Sequence, residues 1–242
     1  MAGGFSKRLL SIAGNKSKCL IEIGGKPIID YTINKLNEIP EIDEIIVITN
    51  ETFFEDFVNW SKTHSFINIR IMSDGGTAED SKIGALTALL NFLEKENIDE
   101  DLFLAGADNF FKFSLRNIFE MFKRENKDLS VFYDIGDLEK AKRFGVAILD
   151  EKNLVLNFEE KPENPKSNLV VTGLYIYPPT IFDIIDKLEY SQRGELEITD
   201  VNNILIKREQ MMAHIINGEW SDAGTFDSLI KTSNKIQKSI GL

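Results

Sequence analysis

A chain of 242 residues, 43% of them hydrophobic, is long enough to bury one large α/β core or two small ones. Its formal net charge of -11 and its pI of about 4.8 exclude a general nucleic-acid binder, which carries a basic face. A single cysteine, Cys19, excludes an intrachain disulfide and a thiolate metal cluster and suits a reducing compartment. No stretch approaches the roughly 20 apolar residues of a membrane span, and no apolar segment opens the chain as in a signal peptide. The expectation is a cytoplasmic protein with no membrane partner.

The first 31 residues stand apart electrostatically. Gly3 and Gly4 are followed by Lys7, Arg8, Lys16 and Lys18 before the first acidic residue, Glu22. In an acidic chain this is a local positive island, which points to an anionic ligand. The glycine pair lets backbone amides wrap a phosphate, and the basic side chains supply charge.

Further along, Ile29, Ile33 and Leu36 recur at i, i+4 and i+7, so a helix is expected to start at Pro27 and end before Pro40. EIIVIT at 44–49 reads as a buried strand, 52–62 as a helix, and the alternation of Ile67, Ile69 and Ile71 as a half-buried strand. Leu86, Leu89, Leu90 and Leu93 mark a helix, 101–106 a short strand, and Leu115, Ile118, Phe119 and Phe122 another helix. This alternation predicts a mostly parallel sheet covered on both faces. In the second half, 129–133, 145–149, 154–158 and 169–177 are strand-like with fewer helices between them, which predicts mixed or antiparallel pairing. Helical spacing returns at Ile181, Ile184, Ile185 and Leu188, and again at Phe226, Leu229 and Ile230. With no linker, repeat or low-complexity tract, residues 1–242 read as a single domain.

The opening stretch AGGFSKRLLSIAGNKSKCLIEIGGKPIIDY is followed, in order, by FG at 144–145, EKP at 160–162, PKSN at 165–168, TGLY at 172–175, RGELEITD at 193–200 and WSDAGT at 220–225. Together these resemble the sugar-phosphate nucleotidylyltransferases, with the glucose-1-phosphate thymidylyltransferases as the nearest members, over nearly the whole chain. The resemblance implies an α/β fold with a Rossmann-like, mixed and mostly parallel sheet and helices on both faces. It also implies a nucleotide-binding half at 1–128 and a sugar-phosphate-binding half at 129–242. The expected reaction joins a nucleoside triphosphate, dTTP by first choice, to glucose 1-phosphate, giving an NDP-sugar and pyrophosphate.

That chemistry brings two polyanions together, so cations must offset their repulsion. By resemblance Arg8 steadies the pyrophosphate and Lys18 holds the α-phosphate, while Gly3, Gly4 and Gly84 bind the nucleotide. Asp108 and Asp222 match the family's magnesium ligands. Hard carboxylate oxygens suit Mg2+, which takes its remaining ligands from water and phosphate. Asp108 also lies just beyond an apolar strand, where open α/β sheets place their ligand sites. Other uses remain open at this stage, since Asp-Asn pairs build turns and Asp caps helices. By resemblance Lys161 and Arg193 bind the sugar phosphate, Glu160 accepts sugar hydroxyls and Gly173 lets the backbone approach the ring. Gly84 equally suits the start of a helix, and 159–162 a charged strand end.

Several residues depart from the family pattern. Met1 stands in place of a short apolar strand before Ala2, so the first strand reads as truncated in this numbering. Ser6 replaces a signature glycine, and Ser11, Cys19 and Glu22 replace prolines. The base-reading Gln before Gly84 is absent, with IMSDGGT at 71–77 in its region. Two alternatives follow, a cytidylyltransferase for another phosphorylated alcohol such as phosphocholine, and a non-catalytic nucleotide-binding regulatory homologue. GLYIY and RGELEITD favour a sugar; Arg8, Lys18, Asp108 and Asp222 together favour catalysis. A homo-oligomer is compatible with either. His64 and His214 have no nucleophile or ligand partner at recognisable spacing and are read as structural. Neither a GxxxxGK[ST] loop nor a GxGxxG fingerprint occurs, against a P-loop hydrolase or a dinucleotide oxidoreductase.

Overall fold

The computed structural model describes residues 1–2, 16–64, 68–77, 84–96, 98–190, 196–222, 230 and 233. The strands are β1 (Glu22–Ile23), β2 (Lys26–Pro27), β3 (Glu44–Thr49), β4 (Asn68–Ser73), β5 (Leu102–Ala105) and β6 (Asn109–Phe111). After these come β7 (Asp128–Asp134), β8 (Gly145–Leu149), β9 (Val155–Glu160), β10 (Leu169–Tyr177), β11 (Met211–Ile215) and β12 (Trp220–Asp222). The helices are α1 (Ile28–Leu36), α2 (Phe54–Ser61), α3 (Ala85–Glu96), α4 (Leu115–Glu125), α5 (Leu138–Ala141), α6 (Phe182–Ile185) and α7 (Ile198–Lys207). The chain forms two compact units that interleave in sequence. One comprises 1–83, 106–116 and 218–242, the other 84–105 and 117–217.

In the first unit, β3 and β4 pair in parallel from Glu44 opposite Asn68 to Thr49 opposite Ser73, and α2 is the crossover between them. The expected β-α-β order is therefore present. Asn50 starts the crossover, because its side chain accepts the Phe53 N–H at 3.0 Å. On α1 the buried Ile29, Ile33 and Leu36 form the predicted stripe, joined by Ile28 and Thr32. Asp30, also on α1, accepts from Trp60 Nε1 at 2.8 Å and pairs with His64 Nε2 at 3.1 Å. That contact gives His64 the structural role expected of it. At the start of the chain, Ala2 N–H donates to Ile48 O at 2.8 Å and Ala107 N–H donates to Met1 O at 3.1 Å.

The second unit is built on β10. Its sheet runs β11-β7-β10-β8-β9, and β5 also pairs with β10. One edge of β10 is taken by β7. On the other edge Val170 pairs with Val146 of β8, and residues 174–177 pair with β5. Gly173 stands at that change of partner. Its φ of 76° is a left-handed conformation that favours glycine, and the register against β7 shifts between Val171 and Tyr175. The antiparallel character expected of the second half is present at β7, β8, β9 and β10, while β11 joins β7 in parallel; β5, from the first half where parallel pairing was expected, is antiparallel to β10. The α/β architecture is thus mixed, as the resemblance implied, but not mostly parallel as expected: among the described strands only β3 with β4 and β7 with β11 pair in parallel, because β10 takes antiparallel partners on both edges. β7 and β10 supply a core of Leu129, Val131, Phe132, Val170, Leu174 and Ile176, each no more than 1% exposed. Among the described residues, no helix is long and apolar enough to cross a membrane.

Candidate functional site

The first unit assembles an acid-base cluster around Lys18. Ser17 is buried and its hydroxyl accepts the Cys19 N–H at 3.4 Å, which closes a 3-10 turn at Lys18–Leu20. From that turn the Lys18 ammonium reaches the Asp108 carboxylate, 90 residues away in sequence, in a direct ion pair. Burial pulls the Lys18 pKa down, but Asp108, the Cys19 sulfur and Asp222 together outweigh it, so the pKa rises above the ordinary lysine value and the ammonium persists. Beside it, burial and the Asp108 charge push the Cys19 thiol up to about 11, against the pull of Lys18. At neutral pH Cys19 is a protonated packing group rather than a nucleophile.

Asp108 and Asp222 come together through strand pairing. β6 and β12 are antiparallel, with Asp222 opposite Asn109, and Asp108 immediately precedes Asn109. Asn109 holds this corner. Its buried amide donates to Gly106 O at 3.1 Å, its Oδ1 accepts from Trp220 Nε1 at 2.9 Å, and its carbonyl accepts from Thr32 Oγ1 at 3.3 Å. The turn that an Asp-Asn pair suggested is thus made by Asn109, which leaves the Asp108 side chain to Lys18. Sequence reasoning did not single out Asn109 as a support for the site, and only its neighbourhood with Asp108 pointed to it.

The two aspartates fit a magnesium ion. Strand pairing brings the two residues to one corner, their oxygens are hard donors, and among the described residues no group of three or more His, Cys, Asp or Glu is placed to hold a metal ion. Magnesium takes one or two carboxylates and completes its shell with water and phosphate, which matches this donor set.

Glu160 and Lys161 lie in the second unit. Glu160 ends β9 opposite Gly145, and the next residue, Lys161, turns the chain with φ 47° while its N–H donates to Phe144 O at 3.0 Å. The Lys161 ammonium pairs with Glu160 Oε1 at 2.6 Å, and its side chain is 59% exposed, so a stronger anion can compete for it. Burial raises the Tyr175 hydroxyl far above the usual tyrosine range; a side-chain hydrogen bond with Asn202 opposes this and the Glu160 charge adds to it. Gly173, on the same sheet, is described above. Gly84 precedes α3 in a left-handed conformation, φ 87°, and its carbonyl accepts the Ala88 N–H at 3.1 Å. It therefore starts that helix in a geometry that favours glycine.

Gly145 is required by packing. A β-carbon there would lie 2.3 Å from Phe158 Cζ and 3.1 Å from Glu160 Oε2. Phe158 is buried and has little room to move, so Gly145→Ala is expected to destabilise the fold by roughly 1–3 kcal/mol. In a thermal melt that reads as a Tm lower by several degrees, and an unchanged Tm would show that the Phe158 ring yields. Gly3, Gly4, Arg8 and Arg193 lie outside the described residues, as do Phe226 and Leu229 of the expected last helix.

Residues 1–239 match the family model for nucleotidyl transferases. The chain belongs to this family. Among curated relatives, the bifunctional protein GlmU of Methanocaldococcus jannaschii is 32% identical over 224 residues, covering 93% of this chain and 50% of that protein. Glucose-1-phosphate thymidylyltransferase of Mycolicibacterium smegmatis is 30% identical over 241 residues, covering 98% and 81%. The chain thus spans about half the length of GlmU and most of the thymidylyltransferase. A Bacillus anthracis protein described as a glucose-1-phosphate thymidylyltransferase, solved in complex with a sucrose, superimposes with a TM-score of 0.83 at 30% identity. The superposition covers 98% of this chain and 93% of the other.

Proposed function

We propose that the chain joins a nucleoside triphosphate to a sugar 1-phosphate, with dTTP and glucose 1-phosphate as the substrate pair, releasing pyrophosphate and an NDP-sugar. The observation that carries this reading is the Lys18 ammonium held against Asp108 and within the field of Asp222, in a chain whose relatives include glucose-1-phosphate thymidylyltransferases.

In the reaction, an oxygen of the sugar phosphate bonds to the α-phosphorus. The bond from that phosphorus to the bridging oxygen breaks, and pyrophosphate leaves with the electron pair. Lys18, kept protonated by its carboxylate neighbours, holds the α-phosphate as a point charge. Arg8 steadies the pyrophosphate by forking its oxygens. Gly3, Gly4 and Gly84 line the nucleotide. Lys161 exchanges its Glu160 partner for the sugar phosphate, with Arg193 as the second cation, while Glu160 then accepts sugar hydroxyls. Gly173 admits the ring close to the backbone. Asp108 and Asp222 would hold magnesium, which when bound would supply positive charge against the triphosphate.

Pyrophosphate release over a grid of dTTP, UTP, CTP, ATP and GTP against several sugar 1-phosphates and phosphocholine tests the reading. The highest kcat/KM is expected for dTTP with glucose 1-phosphate. A maximum at another triphosphate reassigns the base, a maximum at phosphocholine reassigns the acceptor, and no release with any pair overturns the activity.

A further inference from the structure

Within the first unit, the two aspartates of the candidate site are carried by strands too short to place them unaided. Among the described residues β6 and β12 form a two-stranded sheet of three residues each, and a pair of that size is marginal by itself. Asn109 lies opposite Asp222, and Phe111 opposite Trp220. Facing partners share a face of the sheet, as do residues two apart in a strand, so these four side chains project to one side. Asn109, Phe111 and Trp220 are buried there, and Asp222 is half-buried.

Both ends of the Asn109 amide are engaged. Its Nδ2 donates to Gly106 O at 3.1 Å, closing the turn that carries Asp108, and its Oδ1 accepts from Trp220 Nε1 at 2.9 Å, two residues before Asp222. Turned end for end, the amide would set carbonyl against carbonyl and N–H against N–H, so only one orientation satisfies both neighbours. The Asn109 carbonyl also accepts from Thr32 Oγ1 of α1 at 3.3 Å, which fixes the backbone. Asn109 therefore ties together the turn of Asp108, the strand of Asp222 and a helix. Asp108 is its chain neighbour, and Asp222 is its partner across the pair, with β-carbons about 5 Å apart.

We propose that Asn109 and Trp220 are positioning residues for the metal ligands, and that the hydrogen bond between them sets the spacing of the Asp108 and Asp222 carboxylates. The proposal rests on the reading of those two aspartates as magnesium ligands. Carboxylates already held at one spacing bind an ion without first being ordered, so loosening the tie lowers affinity for the ion. Loss of a supporting partner around a metal site costs about 10- to 100-fold in affinity, and the lower end is expected here because the tie acts through the strands.

The test is Mn2+ binding to the full chain without nucleotide, followed by electron paramagnetic resonance of the free ion. The site counted is the one that Asp222→Asn removes. Trp220→Phe, which keeps a ring but loses the N–H donor, is expected to weaken that site about tenfold. Trp60→Phe is the matched control, since Trp60 is buried in the same unit and its Nε1 donates to Asp30 Oδ1 at 2.8 Å. Both variants are expected to lose a few degrees of Tm, but Trp60→Phe should keep its Mn2+ affinity within about twofold of the parent. Parent affinity in Trp220→Phe, or equal weakening in both variants, overturns the proposal and leaves the metal reading standing. A parent with no site that depends on Asp222 removes the metal reading and the proposal with it. If Trp220→Phe does not fold, Asn109→Ser, which removes the acceptor of the same bond, is measured in its place against the same outcomes.

Discussion

Asp222→Asn is expected to lower kcat by about 10²-fold or more while leaving the protein folded, because it removes a charge without changing a shape. Asp222 sits at the end of β12, and the pairing of β12 with β6 rests on backbone bonds and on the Trp220 to Asn109 contact. Asn keeps the shape of the carboxylate and one of its acceptor oxygens, so the Tm of the variant should stay within a few degrees of the parent. The deficit should be largest at low magnesium and shrink as magnesium is raised, since a neutral amide oxygen remains a weak ligand. Normal turnover of Asp222→Asn at low magnesium would sink the metal assignment. Asp108→Asn should behave differently, because Asp108 also neutralises the Lys18 ammonium. Its loss should reduce stability as well as activity, and a melt beside the assay separates the two variants.

The second large effect concerns the two lysines. Lys18→Ala is expected to reduce kcat by about 10²- to 10³-fold with little change in the KM for the sugar phosphate. Lys161→Ala is expected to raise that KM by roughly tenfold and to leave kcat within a few-fold. The contrast follows from their surroundings. Lys18 is held in a carboxylate pocket on a turn closed by Ser17, whereas Lys161 is exposed and paired only with its neighbour Glu160 among the ion pairs described. Equal effects of the two changes on the sugar phosphate KM would remove the distinction. Because the folded-state pKa of Lys18 is raised, the stabilisation from its pairing is present throughout the neutral range and fades only as pH climbs through that raised value. Lys18→Ala should therefore lose a few degrees of Tm at pH 7, on the order of 1 kcal/mol for an unpaired, partly buried Asp108.

How far the site was legible in the sequence differs between its two sides. EKP pointed to Glu160 and Lys161 as candidates, and the structure adds that Lys161 is the first residue after β9 and turns the chain. For Asp108 and Asp222 the motifs gave identities, but proximity came from β6 and β12, two three-residue strands. Such strands are too short to show a period, and neither was anticipated. The same holds for the two-residue strands β1 and β2 and for MMAHI in β11, which does not alternate.

Local pattern alone determined the long elements. EIIVIT became β3 and LVVTGLYIY became β10 with the expected bounds, and the stripe at Ile29, Ile33 and Leu36 became the buried face of α1. These signals are local because burial of one face repeats with the helix or strand period. Pairing has no such local trace. That β10 would meet β7 along one edge and both β8 and β5 along the other, with Gly173 at the change, depends on what lies across from each residue. Likewise Asn109 as the support of the Asp108 corner, and the Asn202 contact with Tyr177, exist only once distant segments are packed. Hydrogen bonding and charge act over a few ångströms in space, so residues far apart in the chain acquired these roles only in the folded structure.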